Sequence, residues 1–131
     1  MLVFWLLLDV FHTNSKLFLF GKRKSEQCDL CGAPKEDRIH FVLVCPSLHI
    51  IRNDFLLQIV SLSPCIIPYL EPTETLLVAI LDPESPILPD DLIESWPDIP
   101  EVYKVMRNMI FALYNKREAL LDDLLKSQAI L

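Results

Sequence analysis

The stretch from 28 to 45 reads CDLCGAPKEDRIHFVLVC. It holds three of the four cysteines of a 131-residue chain, together with a histidine. Thiolate and imidazole are the donors that zinc favours, and a tetrahedral ion needs four of them. Cys28 and Cys31 form a C-x2-C turn, which sets two sulfurs on one side of an ion, and Gly32 is free to take a backbone conformation that lets amides approach sulfur. Two further ligands must come from an element that folds back. His40 and Cys45 do so, completing C-x2-C-x8-H-x4-C. His49, four residues after Cys45, is the alternative fourth ligand; His40 is preferred. A closed set of four leaves no position for water or substrate, so the zinc expected here is structural. A redox disulfide between Cys28 and Cys31 is the competing reading, but no βαβ pattern surrounds the pair. His12 and Cys65 are read as structural residues.

The ligand order is that of zinc knuckles, which bind single-stranded nucleic acid, although the spacer here is longer. Lys22, Arg23, Lys24, Lys35, Arg38 and Arg52 are the candidate phosphate contacts, and Phe41 could stack on a base if exposed. Charge limits the idea. The formal net charge is −6, and it is unevenly spread. Residues 1–60 carry seven Lys/Arg against six Asp/Glu, whereas residues 61–131 carry five against twelve. An acidic total argues against a protein that holds phosphate by charge alone. Two glycines offer no phosphate-cradling loop. No Ser–His–Asp, paired-carboxylate or open-metal constellation is present, so the chain is not expected to be an enzyme.

The elements that must position this cluster read as helices, giving a mainly α fold: a small helical domain with one zinc-knuckle-like Cys-Cys-His-Cys site and a long C-terminal helix. Four segments are expected. Residues 1–27 hold an N-terminal helix over 2–11 and a basic lead-in. The start, MLVFWLLLDVFH, has no positive n-region and no small-residue cleavage site, so it reads as a buried helix rather than a signal peptide. Residues 17–20, LFLF, are too short to assign. Residues 28–62 form the zinc module, with a helix over about 35–44, a break at Cys45-Pro46, and a second helix starting at Pro46 or Ser47. Leu48, Ile51, Phe55, Ile59 and Leu62 give that helix one buried stripe, with Arg52 outside it. Residues 63–99 are a proline-rich acidic connection with a short segment, TLLVAIL, capped by Thr73; helix is favoured over buried strand. Its 82–100 portion reads as irregular, packed in places through Leu88, Ile93 and Trp96. Residues 100–131 carry the long amphipathic helix, with Val102, Met106, Met109, Leu113, Leu120 and Leu124 on its apolar face and an Asp122–Lys126 pair at i,i+4. The chain is 52% hydrophobic, with a mean hydropathy of +0.35, high for a free-standing domain. Apolar surface that meets a partner would explain this. No stretch is long enough to cross a bilayer. Clustered cysteines without a secretory signal fit a reducing, intracellular setting, cytoplasm or nucleus.

Beyond the ligands, CDLCGAPKEDRIHFVLVCPSLHIIRNDFL resembles the zinc-binding region at the C-terminal end of reverse transcriptases from non-LTR retrotransposons. In that family a C-x2-C pair is followed by an acidic stretch, His-Phe, an apolar pair, Cys-Pro and a later Arg. Here those are Cys28, Cys31, Glu36-Asp37, His40-Phe41, Val42-Leu43, Cys45-Pro46 and Arg52. The likeness covers about residues 12–56, and the closing YNKREALL is similar to the family's terminal helix. It implies a zinc-stabilised module, with Cys28, Cys31, His40 and Cys45 as ligands, that helps a polymerase engage template RNA or target DNA. The polymerase domain of a parent polyprotein, or another protein, would be its partner. No Y-x-D-D signature occurs, so no nucleotidyl transfer is implied. Pro97-Asp98 and Glu101–Lys104 come near the PD…D/E-x-K nuclease pattern of some such elements, but the Glu–Lys spacing is one residue too long.

Overall fold

The fold is taken from a computed structural model that describes residues 2–7, 9 and 11–130, without the side chains of residues 4, 129 and 130. In chain order come α1 (Leu2–Leu7), α2 (Asn14–Leu19), a π-helical turn (His40–Val44), a 3-10 turn (Pro46–Leu48) running into α3 (His49–Leu62), a 3-10 turn (Pro64–Tyr69), α4 (Glu74–Leu81), α5 (Asp90–Glu94) and α6 (Ile99–Ile130). No strand occurs among the described residues. The mainly α fold with its long last helix is therefore the one observed. No helix among the described residues is long and apolar enough to cross a membrane.

α6 is the strut. Its 32 residues rise about 48 Å at ~1.5 Å each. Val102, Val105, Met106, Met109, Ile110 and Leu113 turn one face inward and are buried, and α1, α3 and α4 pack on it. α4 lies between α1 and α6. Residues 76–81 of α4 are all buried, as a helix that is apolar on every side must be. Thr73 stands at its N-cap in extended geometry, and Pro83 helps to end it at Asp82 by excluding helical geometry there.

Several boundaries differ from the sequence expectation. α1 ends at Leu7, and Asp9 takes a left-handed φ of 56°; positions 8 and 10 of the expected 2–11 helix lie outside the described residues. The lead-in after residue 11 holds a helix of its own: Thr13 Oγ1 accepts from Lys16 N at 3.4 Å, capping α2. The helix expected over 35–44 is shorter and wider, with π geometry from His40. A 3-10 turn at Pro46 delays α3 until His49. The 82–100 connection holds the helix α5 and reaches α6 at Ile99, with Pro100 in the first turn, where its missing N–H is not needed. Leu88, Leu92 and Trp96 anchor this stretch in the core, and Trp96 Nε1 donates to Pro83 O at 2.8 Å. Leu124, expected on the apolar face of α6, is exposed.

Candidate metal centre

The site is assembled from a tight loop and one wide helical turn. Cys28 N donates to Ala33 O and Gly32 N to Cys28 O, both at 2.9 Å, curling residues 28–33 around the two sulfurs. Gly32 has φ 77°, a left-handed conformation that side chains disfavour. The returning half begins with Asp37, whose Oδ1 accepts from His40 N at 2.8 Å. Cys45 N then donates to His40 O at 2.8 Å, an i→i+5 bond between the two ligand residues themselves. In an α-helix, residues five apart point about 140° away from each other. The wider π turn brings them back to one side, so the H-x4-C spacing and the π geometry belong together. Arg52 holds this turn. Its Nε donates to Val42 O at 2.8 Å, and Nη2 lies 3.5 Å from Phe41 O, serving carbonyls that lose their helical partners where Pro46 breaks the chain.

Cys28 Sγ and Cys45 Sγ lie 3.9 Å apart, and Cys31 Sγ is 3.3 Å from His40 Nε2. The four ligand atoms of Cys28, Cys31, His40 and Cys45 all fall within 4.8 Å of one another. A tetrahedral ion with sulfur at about 2.3 Å and nitrogen at about 2.0–2.1 Å separates its ligands by about 3.6–3.8 Å. The donor set thus fits a metal ion. All four cysteines are free thiols, so the C-x2-C pair is not a disulfide. Cys28, His40 and Cys45 are buried, and Cys31 faces solvent. The shared contact between the buried sulfurs pushes the Cys28 thiol up, reinforced by burial, and the same contact holds the Cys45 thiol down. A cation bound between the two sulfurs would hold both as thiolates. His49 stands apart. It is exposed, and its Nδ1 lies 2.7 Å from Pro46 O.

A buried ion pair that no motif announced lies against this cluster. Glu36 and Arg117 are each 2% exposed. Arg117 Nε and Nη2 donate to Glu36 Oε2 and Oε1 at 3.1 and 2.8 Å, across 81 residues of sequence. Glu36 Oε1 also accepts from Asn14 N at 2.8 Å, and Oε2 is 3.9 Å from Cys28 Sγ. The guanidinium lies over the rings of Phe11 and Phe41, at 5.7 and 5.6 Å. Burial alone would push the Arg117 pKa down, but the Glu36 bonds and charge hold it above its ordinary value. The signal was present in the sequence: Arg117 continues the stripe of Met106, Ile110 and Leu113 at helical spacing, and an arginine there needs a buried acid.

The candidate phosphate contacts are placed unevenly. Lys22, Lys24 and Lys35 are exposed. Arg23 is clamped bidentate on Asp29, both bonds at 3.0 Å. Arg38 is half-buried, paired with Glu74 and Asp9 and donating to Leu6 O. Arg52, expected outside the buried stripe, is 5% exposed; its guanidinium is spent on the π turn, not on phosphate. Phe41 is fully buried and stacked on Phe11 at 5.3 Å, so it offers no face to a base. Glu101 and Lys104 lie in the first turns of α6, in helix where the nuclease pattern needs strand. No protein-family description, curated protein or solved structure matches this chain.

Proposed function

We propose that this chain is a non-catalytic module built on a structural zinc ion, assisting the binding of RNA or DNA as the retrotransposon reverse-transcriptase likeness implies, in an intracellular compartment. The observation that carries the zinc reading is the convergence of Cys28, Cys31, His40 and Cys45 within 4.8 Å. Three sulfurs and one imidazole are a soft, closed set, suited to zinc and without an open position for reaction. When bound, the ion supplies about 10–16 kcal/mol of apparent binding energy, as much as or more than the whole stability of a typical domain. The protein's own part is to hold the ligands: Gly32 shapes the loop, Arg52 fixes the π turn, and Glu36 with Arg117 ties the loop to α6. An alternative reading, docking on another protein through apolar helices, draws on Ile50 and Leu57, each 67% exposed on α3.

The test is zinc per chain after purification under reducing conditions, for wild type and His40→Ala, with thiol reactivity followed alongside. One zinc per wild-type chain is expected. Its loss in His40→Ala should leave Cys28, Cys31 and Cys45 reactive. A wild type that takes up no zinc under any folding condition overturns the reading. Binding of oligonucleotides that weakens steeply with salt separates nucleic-acid from protein docking.

A further inference from the structure

α2 ends in an ordered presentation of apolar side chains. Phe18, Leu19 and Phe20 are 46, 67 and 59% exposed, the longest run of exposed large apolar residues among those described. The turn that follows is closed by two backbone hydrogen bonds. Gly21 has φ 73° and donates to Phe18 O at 3.0 Å, while Lys22 N donates to Leu17 O at 2.7 Å. This pair of bonds is the Schellman cap, in which the residue after the glycine ordinarily covers the helix end with an apolar side chain. Here that residue is Lys22. Arg23 turns inward onto Asp29, and its Nε donates to Ser25 O at 3.2 Å. Lys22 and Lys24, on either side, are exposed and make no ion pair among the described residues. Two exposed aromatic rings and two exposed ammonium groups therefore lie on and beside one hydrogen-bonded turn.

We propose that this tip is a docking surface for single-stranded nucleic acid, with Phe18 and Phe20 stacking on bases and Lys22 and Lys24 contacting phosphate. The proposal rests on the nucleic-acid reading above and gives it a location. Exposed aromatic rings stack on any unpaired base, and adjacent cations track the backbone; a duplex hides its base faces. Acids do lie near. Asp9, Glu26, Asp37 and Glu74 line the cleft of about 410 Å³ that Phe18 shares with Lys35. Each is already engaged: Asp9 with Lys16 at 3.0 Å, Glu26 with Ser15 Oγ at 3.0 Å, Asp37 with His40 N at 2.8 Å, and Glu74 with Arg38. An anionic membrane is a poorer fit. α2 has only six residues, too few for the apolar face of an interfacial helix. The start of α2 is bound to the segments flanking the metal loop, through Asn14 Nδ2 to Gln27 O at 2.7 Å and Ser15 N to Glu36 O at 2.8 Å.

The experiment uses the full zinc-loaded chain and a fluorescent oligouridylate of about 12 nucleotides, within the site sizes of single-strand binders, read by anisotropy over a salt series. Phe18→Ala with Phe20→Ala should weaken binding about tenfold or more. Lys22→Ala with Lys24→Ala should weaken it and reduce the salt slope by about 0.7 per lysine. Phe18→Trp with Phe20→Trp should retain or strengthen binding, which guards against a folding defect in the alanine pair. If wild type binds and all three variants bind alike, the tip is not the site, while the nucleic-acid reading stands. If wild type binds no oligonucleotide, that reading fails and the proposal with it. Equal affinity for a duplex overturns the stacking role. Capture by phosphatidylserine vesicles without oligonucleotide binding overturns the proposal in favour of a membrane.

Discussion

Residues 76–81 of α4 and residues 28–33 of the metal loop are stretches of six with opposite means of support. Every residue of the first is buried, and full burial of each large aliphatic side chain contributes about 1.5–3 kcal/mol. In the second only Cys28 is buried, with Leu30 and Ala33 half-covered. Its order comes from backbone bonds around Gly32 and from four ligand side chains that leave a site for a cation. The helical body can therefore hold its shape by packing, while the metal loop has little packing of its own and a donor set that could hold an ion. The two meet at Arg117, where the strut helix of the body reaches a carboxylate beside Cys28.

Removing the ion should break the molecule along that division. With a strong chelator, amides of residues 26–48 are expected to lose protection in hydrogen-exchange mass spectrometry, consistent with the loss of about 10–16 kcal/mol of binding energy from that segment. The amides of α4 and of residues 102–113 in α6 should keep theirs. Loss of protection throughout would show one cooperative unit in which the body, too, requires the metal.

A smaller effect sharpens the meeting point. Arg117→Ala leaves Glu36 buried without its cation, and removal of one partner of such a pair costs about 3–5 kcal/mol. Chemical denaturation should show that loss, with weaker zinc retention against a competing chelator. Ile110→Ala on the same helix should also destabilise, by about 2–5 kcal/mol, yet leave zinc retention unchanged. If both variants retain zinc as wild type does, the ion pair does not couple helix to metal.

The body was largely legible in the sequence because apolar periodicity reports burial directly. The α6 stripe through Val102, Met106, Met109 and Leu113 follows from spacing, while the unbroken apolar run of α4 reports burial but leaves strand open beside the favoured helix. The cluster was legible too: Cys28, Cys31, His40 and Cys45 stand in a pattern few other needs would produce, and the fold brings them within 4.8 Å of one another. What escaped was polar and long-range. Arg52 read as a surface cation because charge is normally solvated, whereas unpaired carbonyls at a broken helical turn drew it inside. Glu36 and Arg117 are separated by 81 residues, and no local pattern states which carboxylate a buried arginine will meet. The π turn escaped because the expectation of α geometry takes no account of the H-x4-C spacing that the ligands impose.

The finest test of the two regions uses their two left-handed glycines. Gly21 and Gly32 have φ of 73° and 77°, and neither has a close obstacle to an added methyl group, the nearest atom at Gly32 being Gln27 Nε2 at 3.8 Å. Alanine at either position should therefore act through backbone strain alone, about 1–2 kcal/mol. The strain falls in different places. Gly32→Ala raises the energy of the very loop that presents Cys28 and Cys31, so zinc affinity should fall about fivefold to thirtyfold, the same energy expressed as a binding ratio. Gly21→Ala strains the cap of α2, outside the ligand loop, and zinc affinity should stay at the wild-type value. Competition titration against a chromogenic chelator reads both. Equal losses would mean that the α2 cap and the metal loop fold as one piece, joined through the Asn14 and Ser15 bonds more tightly than the loop is held by its own turn.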